Sequence, residues 1–124
     1  MEGIIPSIPV ADINRAVEFY QQVLGFELVR ITGKDEVTRA FLRAGNVRLI
    51  LRSSTREAQI DYRQVDLSDR LMLHVPVLEA EGFFERIREK VRVVREPIPK
   101  LFGVFEFTVE DTEGILLTFS ELPS

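Results

Sequence analysis

PVADINRAVEFYQQVLGFELV, residues 9–29, reads as the end of a strand, a capped amphipathic helix, a glycine stop and the start of another strand. Asp12 is suited to accept from the free amides that open a helix, and its charge suits that end of the dipole. Ile13, Ala16, Val17, Tyr20, Val23 and Leu24 recur at three- and four-residue spacing and share one side. Asn14, Arg15, Glu18, Gln21 and Gln22 take the other. Gly25 stands where a left-handed residue closes a helix, and Phe26-Glu27-Leu28-Val29 begins a strand.

The same plan recurs sixty-seven residues on: Val10 corresponds to Val77, Asp12 to Glu79, Ala16-Val17 to Phe83-Phe84, Tyr20 to Ile87 and Leu24 to Val91. Identity is mostly lost, but the apolar helix face is kept and strands flank both helices in one order. This predicts an internal duplication. The first copy reads as a strand over 3–10, a helix over 12–24, and strands near 26–31, 36–43 and 46–52. The second reads as a strand over 71–77, a helix over 79–90, and strands over 91–95, 104–109 and 115–121. Pro6 and Pro9 cannot donate to a ladder, so the first strand is expected at a sheet edge. Residues 53–70, polar and charged, read as the connection.

With 124 residues, the chain is the size of one domain able to bury a core. Hydrophobic residues at 45% and charged residues at 29% are ordinary for a soluble globular protein. No apolar run reaches membrane-spanning length and no leader pattern stands at the front, so a cytoplasmic protein without a membrane partner is expected. A net charge of −4 argues against nucleic acid. With no cysteine, disulfides and thiolate metal sites are excluded.

In each βαβββ half, the fully apolar strand face is expected beneath the helix. The opposite face is mixed: Ile5, Ser7, Arg48, Ile50, Arg52, Met72, His74, Leu116, Thr118 and Ser120. A face this polar is not core, and Ile5, Ile50 and Met72 make a ligand cleft a better reading than a solvated surface.

IPVADINRAVEFYQQVLGFELV at the front and FGVFEFTVEDTEGILLTF at the back resemble the vicinal oxygen chelate superfamily, the glyoxalase/bleomycin-resistance/dioxygenase fold. The second motif is similar to that family's ending: an aromatic-Gly pair, a Glu-Phe strand, Asp-x-x-Gly and an apolar strand. The resemblance spans essentially the whole chain and looks most like the bleomycin-resistance branch. It implies an α+β single domain. Two βαβββ modules, about 1–55 and 70–124, would form a curved, cleft-bearing mixed sheet with helices on the outer face. It further implies a homodimer with ligand clefts between chains. The metalloenzymes of the superfamily carry His, Gln or Glu at four cleft positions, which fall here on Ile5, Ile50, Met72 and Thr118. Ile has no lone pair, Met is a soft ligand and a neutral hydroxyl is weak, so no metal and no other cofactor is expected.

His74, the one imidazole, is a general base or hydrogen-bond partner in the cleft, or else a half-exposed strand histidine. Arg48 and Arg52, four apart on one strand, can hold a carboxylate or phosphate, or can be solvated. A basic floor counts against bleomycin itself, a cationic glycopeptide. By the resemblance, Phe102 before Gly103 lines the cleft by stacking; loop packing is the other reading. Glu106 can face cleft or solvent, and Asp111-Thr112-Glu113-Gly114 is a turn, not a calcium loop. The expected function is sequestration of a small organic or drug-like ligand by Arg48, Ile50, Arg52, Met72, His74, Phe102 and Thr118. A lyase, isomerase or dioxygenase using His74 with Glu106 or a further residue is the enzymatic alternative, and a cleft filled by another protein is a third.

Overall fold

Alternation of apolar and polar residues along eight strands, interrupted by two helical stretches, sets the architecture of the computed structural model, which describes residues 1–54, 61–98 and 103–121. The chain divides into two units, Met1–Ile60 and Asp61–Ser124.

The first unit carries β1 (Ser7–Val10), α1 (Ile13–Glu18), β2 (Glu27–Thr32), β3 (Arg39–Ala44) and β4 (Val47–Ser53). The second carries β5 (Met72–Val77), α2 (Ala80–Ile87), β6 (Arg92–Arg95), β7 (Glu106–Glu110) and β8 (Leu116–Glu121). Each unit forms one four-stranded mixed sheet, ordered β1-β4-β3-β2 and β5-β8-β7-β6. In both, the edge strand that precedes the helix pairs parallel with the last strand, and the other pairings are antiparallel. The βαβββ plan read from the sequence is therefore present twice in one topology. The proline-bearing strand β1 is at an edge, as its missing donors require, and so is β5 with Pro76.

The local signals act as expected in the first helix. Asp12 Oδ1 accepts from the Arg15 amide at 3.1 Å, and Gly25 has φ +81°. The expected regular helix over 12–24 is α-helical only to Glu18 and continues as a π-helical turn, Phe19–Val23. That wider turn leaves Tyr20 fully buried, its ring edge-on to Phe26 at 5.5 Å. Ile8, Val10, Leu42, Leu49 and Leu51 complete this core.

In the second unit α2 buries Ala80, Phe84 and Ile87, one stripe at helical spacing. Phe84 packs on Phe107 and Phe83 on Phe119, each pair with centroids 4.8 Å apart. Such ring pairs contribute about 0.5–1.5 kcal/mol each beyond area burial.

The stretch read as a connection over 53–70 behaves otherwise from residue 61 onward: it belongs to the second unit. Two 3₁₀ turns, Tyr62–Gln64 and Leu67–Asp69, lead to Arg70. The Arg70 guanidinium donates to Glu110 Oε2 at 2.8 Å and to the carbonyls of Val65, Gly114 and Arg63 at 2.9, 3.2 and 3.3 Å. Both side chains of the Arg70–Glu110 pair are 7% exposed. The Asp111–Gly114 turn provides the seat. Asp111 Oδ1 accepts from the amides of Glu113 and Ile115, and Gly114 has φ +87°. A Cβ there would meet Arg63 and Tyr62 at 3.0–3.1 Å, which is why the turn ends in glycine.

Breaking a buried ion pair by removing one partner costs about 3–5 kcal/mol, because the survivor keeps its desolvation penalty. Arg70→Met is expected to lower unfolding free energy by that order in urea denaturation. Arg88→Met, whose ion pair with Glu85 is exposed, is expected to change it by about 0–1 kcal/mol.

Candidate functional site

Each sheet has one face beneath its helix, and Arg48, Ile50, Arg52, Met72, His74 and Thr118, expected from the sequence as site residues, lie on the other. In the first unit the register places Arg39 opposite Arg52, Phe41 opposite Ile50 and Arg43 opposite Arg48. Directly opposed residues share a face. Ser7 continues the Ile50 row on β1, and Arg30 continues it on β2 beyond Phe41. The Arg30 guanidinium lies 4.4 Å from the centroid of the Phe41 ring. The result is a short strip of Ile50 and Phe41, both half-buried, with exposed arginines at both ends.

Among the described residues, Arg43 is the one strand arginine of this face with a carboxylate partner, Glu27 Oε2 at 3.0 Å. That pair is exposed on both sides, where ion pairs contribute about 0–1 kcal/mol.

In the second unit the corresponding face carries Met72, His74 and Pro76 on β5, with Leu116, Thr118 and Ser120 beside them on β8. Glu106, Thr108 and Glu110 follow on β7. His74 is exposed and lies next to Thr118 in the parallel register; Met72 is half-buried beside Leu116. Thr118 is 1% exposed, and its hydroxyl is 2.8 Å from that of Thr108, also 1% exposed. Glu110 is within 4 Å of three guanidiniums, Arg70 at 2.8 Å and Arg63 and Arg92 at 3.8 Å. Thus Arg48, Ile50 and Arg52 come together on the first sheet, and Met72, His74 and Thr118 on the second. Phe102 lies outside the described residues.

Strand β3 places on the candidate face residues that the sequence reading did not single out. Arg39, Phe41 and Arg43 alternate with buried Ala40 and Leu42, so a period-two pattern was present. Glu106, left open between cleft and solvent, is opposite Ser120 on the face away from α2.

The four positions at which the resemblance expects metal ligands hold Ile5, Ile50, Met72 and Thr118, none of them a strong donor for a hard or borderline cation. Ile5 and Ile50 are hydrocarbon, and the Thr118 hydroxyl is committed to Thr108. Among the described residues no three His, Asp or Glu side chains converge. An open pocket of about 480 Å³ lies elsewhere, at the start of α1, where Asp12, Asn14, Glu36, Ser53 and Ser54 contribute; none of the expected site residues lines it. No helix among the described residues is long and apolar enough to cross a membrane.

A model of the Glyoxalase/Bleomycin resistance protein/Dioxygenase superfamily matches residues 5–119. No curated protein is a significant sequence match. Among solved structures, TioX from Micromonospora sp. ML1 superposes with a TM-score of 0.76 at 21% identity, over 95% of this chain and 96% of that one. A bleomycin-binding protein complexed with bleomycin gives a TM-score of 0.73 at 17% identity, over 98% of both chains. TnmS3, an antibiotic binding protein from Streptomyces sp. CB03234, gives a TM-score of 0.72 at 18% identity, over 97% of this chain and 93% of that one.

The threonine pair makes a clear test. Thr118→Val leaves the Thr108 hydroxyl buried without its partner, at an expected cost of about 1–3 kcal/mol. The double variant Thr108→Val/Thr118→Val removes both polar groups and is expected to recover most of that loss, as a double-mutant cycle in urea would show.

Proposed function

The chain belongs to the glyoxalase/bleomycin resistance protein/dioxygenase superfamily. On that premise we propose that it is a metal-free cytoplasmic binding protein, which sequesters a small organic or drug-like molecule in the clefts of a homodimer. The observation that carries this reading is the Ile50–Phe41 strip, an apolar and aromatic floor flanked by exposed arginines. Pockets for small molecules pair such a floor with a few charged groups that fix orientation.

Sequestration needs no reacting group, which agrees with the side chains at Ile5, Ile50, Met72 and Thr118. A cation at those positions would polarise a substrate oxygen, but it would need about three good side-chain donors. The fold is shared with a protein complexed with bleomycin and with an antibiotic binding protein, which supports a role in holding a ligand. In this reading Arg48, Ile50 and Arg52 contact the ligand from the first sheet. On the second sheet Met72 and His74 are candidate contacts of their own face, with Thr118 packed beneath that surface, and Phe102 is proposed to stack on a flat ligand. The exposed Ile4 and Ile5 beside edge strand β1 support burial against a second copy.

A thermal-shift screen against aromatic drugs, small acids and divalent metals tests the reading. A ligand at a hundred times its dissociation constant stabilises by about 2.7 kcal/mol, enough to raise Tm by several degrees. The expected result is a shift with an organic ligand that survives chelator treatment of the protein. Stoichiometric nickel, zinc, iron or manganese in the purified protein, with turnover lost on chelation, would assign it to the enzymes of the superfamily instead.

A further inference from the structure

The first sheet opposes arginine to arginine twice. Arg39 faces Arg52 and Arg43 faces Arg48 across the same two antiparallel strands. Directly opposed Cβ atoms are about 4.5–5.5 Å apart, and like charges at that separation destabilise a sheet. The chain as a whole is acidic, with a net charge of −4, so its acids could have been placed here; among the described residues Glu27 alone pairs with these four arginines.

The second copy of the module solves the same positions differently. Matching the two registers, Arg39 corresponds to Glu106, Arg43 to Glu110, Arg48 to Leu116 and Arg52 to Ser120. None of those cross-strand pairs joins like charges, and Glu110 has guanidiniums within 4 Å. The topology therefore does not demand paired arginines. They are particular to the first sheet, at the ends of its apolar strip.

From this geometry we infer that the ligand is a dianion. It has two acidic groups, carboxylate or phosphate, separated by a flat apolar body, with one group held by Arg39 and Arg52 and the other by Arg43 and Arg48. The inference rests on the small-molecule reading above and adds the ligand's chemical class. The two pairs are four residues apart along each strand, about 13 Å at strand rise. Between them the body lies on Ile50, beside the stacked Arg30 and Phe41. Each acidic group meets two guanidiniums, and binding removes the repulsion within each pair. Guanidinium forks suit planar oxyanions better than single ammonium charges do.

Calorimetric titration of the intact protein with the para,para′-dicarboxylates of biphenyl and stilbene, their monoacids and their neutral dimethyl esters tests this. The expected order is diacid, monoacid, ester, with about tenfold between successive members and a loss of diacid affinity as salt rises. Arg52→Gln and Arg48→Gln should each reduce diacid affinity to near that of the monoacid, a larger loss than either causes for the ester. A second readout needs no ligand. Arg39→Gln should raise the Tm of the free protein at low salt, with a gain that shrinks at high salt, whereas Arg43→Gln, which also loses the Glu27 pair, should gain less. An ester that binds as well as the diacid overturns the dianion and leaves sequestration standing. If none of these compounds binds, the dianion falls; if polyglutamate alone associates, in a salt-dependent way, both fall, and the face is a protein-docking surface. A salt-independent fall in Tm for Arg39→Gln would show that arginine to be held within the fold, and overturns the inference by itself.

Discussion

Among the described residues each unit has four strands but one α-helix, and this inequality governs the rest of the structure. A sheet has two faces, and α1 or α2 can cover just one of them. Strand periodicity then forces every second residue onto the side without a helix. The covered sides are uniform in kind. Ile8, Val10, Leu42, Leu49 and Leu51 lie beneath α1, and Phe107, Val109, Leu117 and Phe119 beneath α2. The uncovered sides are where the two copies diverge.

The second unit closes part of its uncovered side with its own chain. Residues 61–70 are fastened through Arg70 to Glu110 and to the carbonyl of Gly114, and Thr108 and Thr118 satisfy each other nearby. Polar groups are thus buried with partners, the condition under which burial is tolerated. The described residues of the first unit do not close its side in this manner. It presents arginines around a small apolar centre, a costly arrangement for an isolated sheet and a useful one for recognition. One fold, laid down twice, gives one copy that favours internal order and another that holds charge in reserve.

The architecture was legible because its signals are local and redundant. The Asp12 cap, Gly25, the two apolar helix stripes and the alternation of β4, β5 and β8 each pointed to the element that forms. Proline in β1 located an edge before any pairing was known. The site was legible only where strands alternate without competing signals. Arg48, Ile50 and Arg52 could be read from β4 alone. Their opposition to Arg43, Phe41 and Arg39 depends on which residues of β3 face them, a property of register that one strand does not contain. The role of Arg70 was hidden for a related reason. Its partner Glu110 is forty residues further along, and a lone arginine in a polar stretch looks like any solvated charge. The burial of Thr118 likewise depends on Thr108, across a hairpin whose pairing had to be seen.

The exposed arginines of β3 and β4 have a consequence for how such a chain can change. Their side chains leave the packed layer beneath α1, so replacing one alters surface chemistry while the cap, the helix stripe and the aromatic contacts stay intact. Equivalent replacements at Glu110 or Thr118 would reach folding first. Changes of surface chemistry are therefore most accessible through the amino-terminal repeat, while the carboxy-terminal repeat acts as ballast. A duplicated scaffold of this kind can alter the chemistry of one face without passing through an unfolded ancestor.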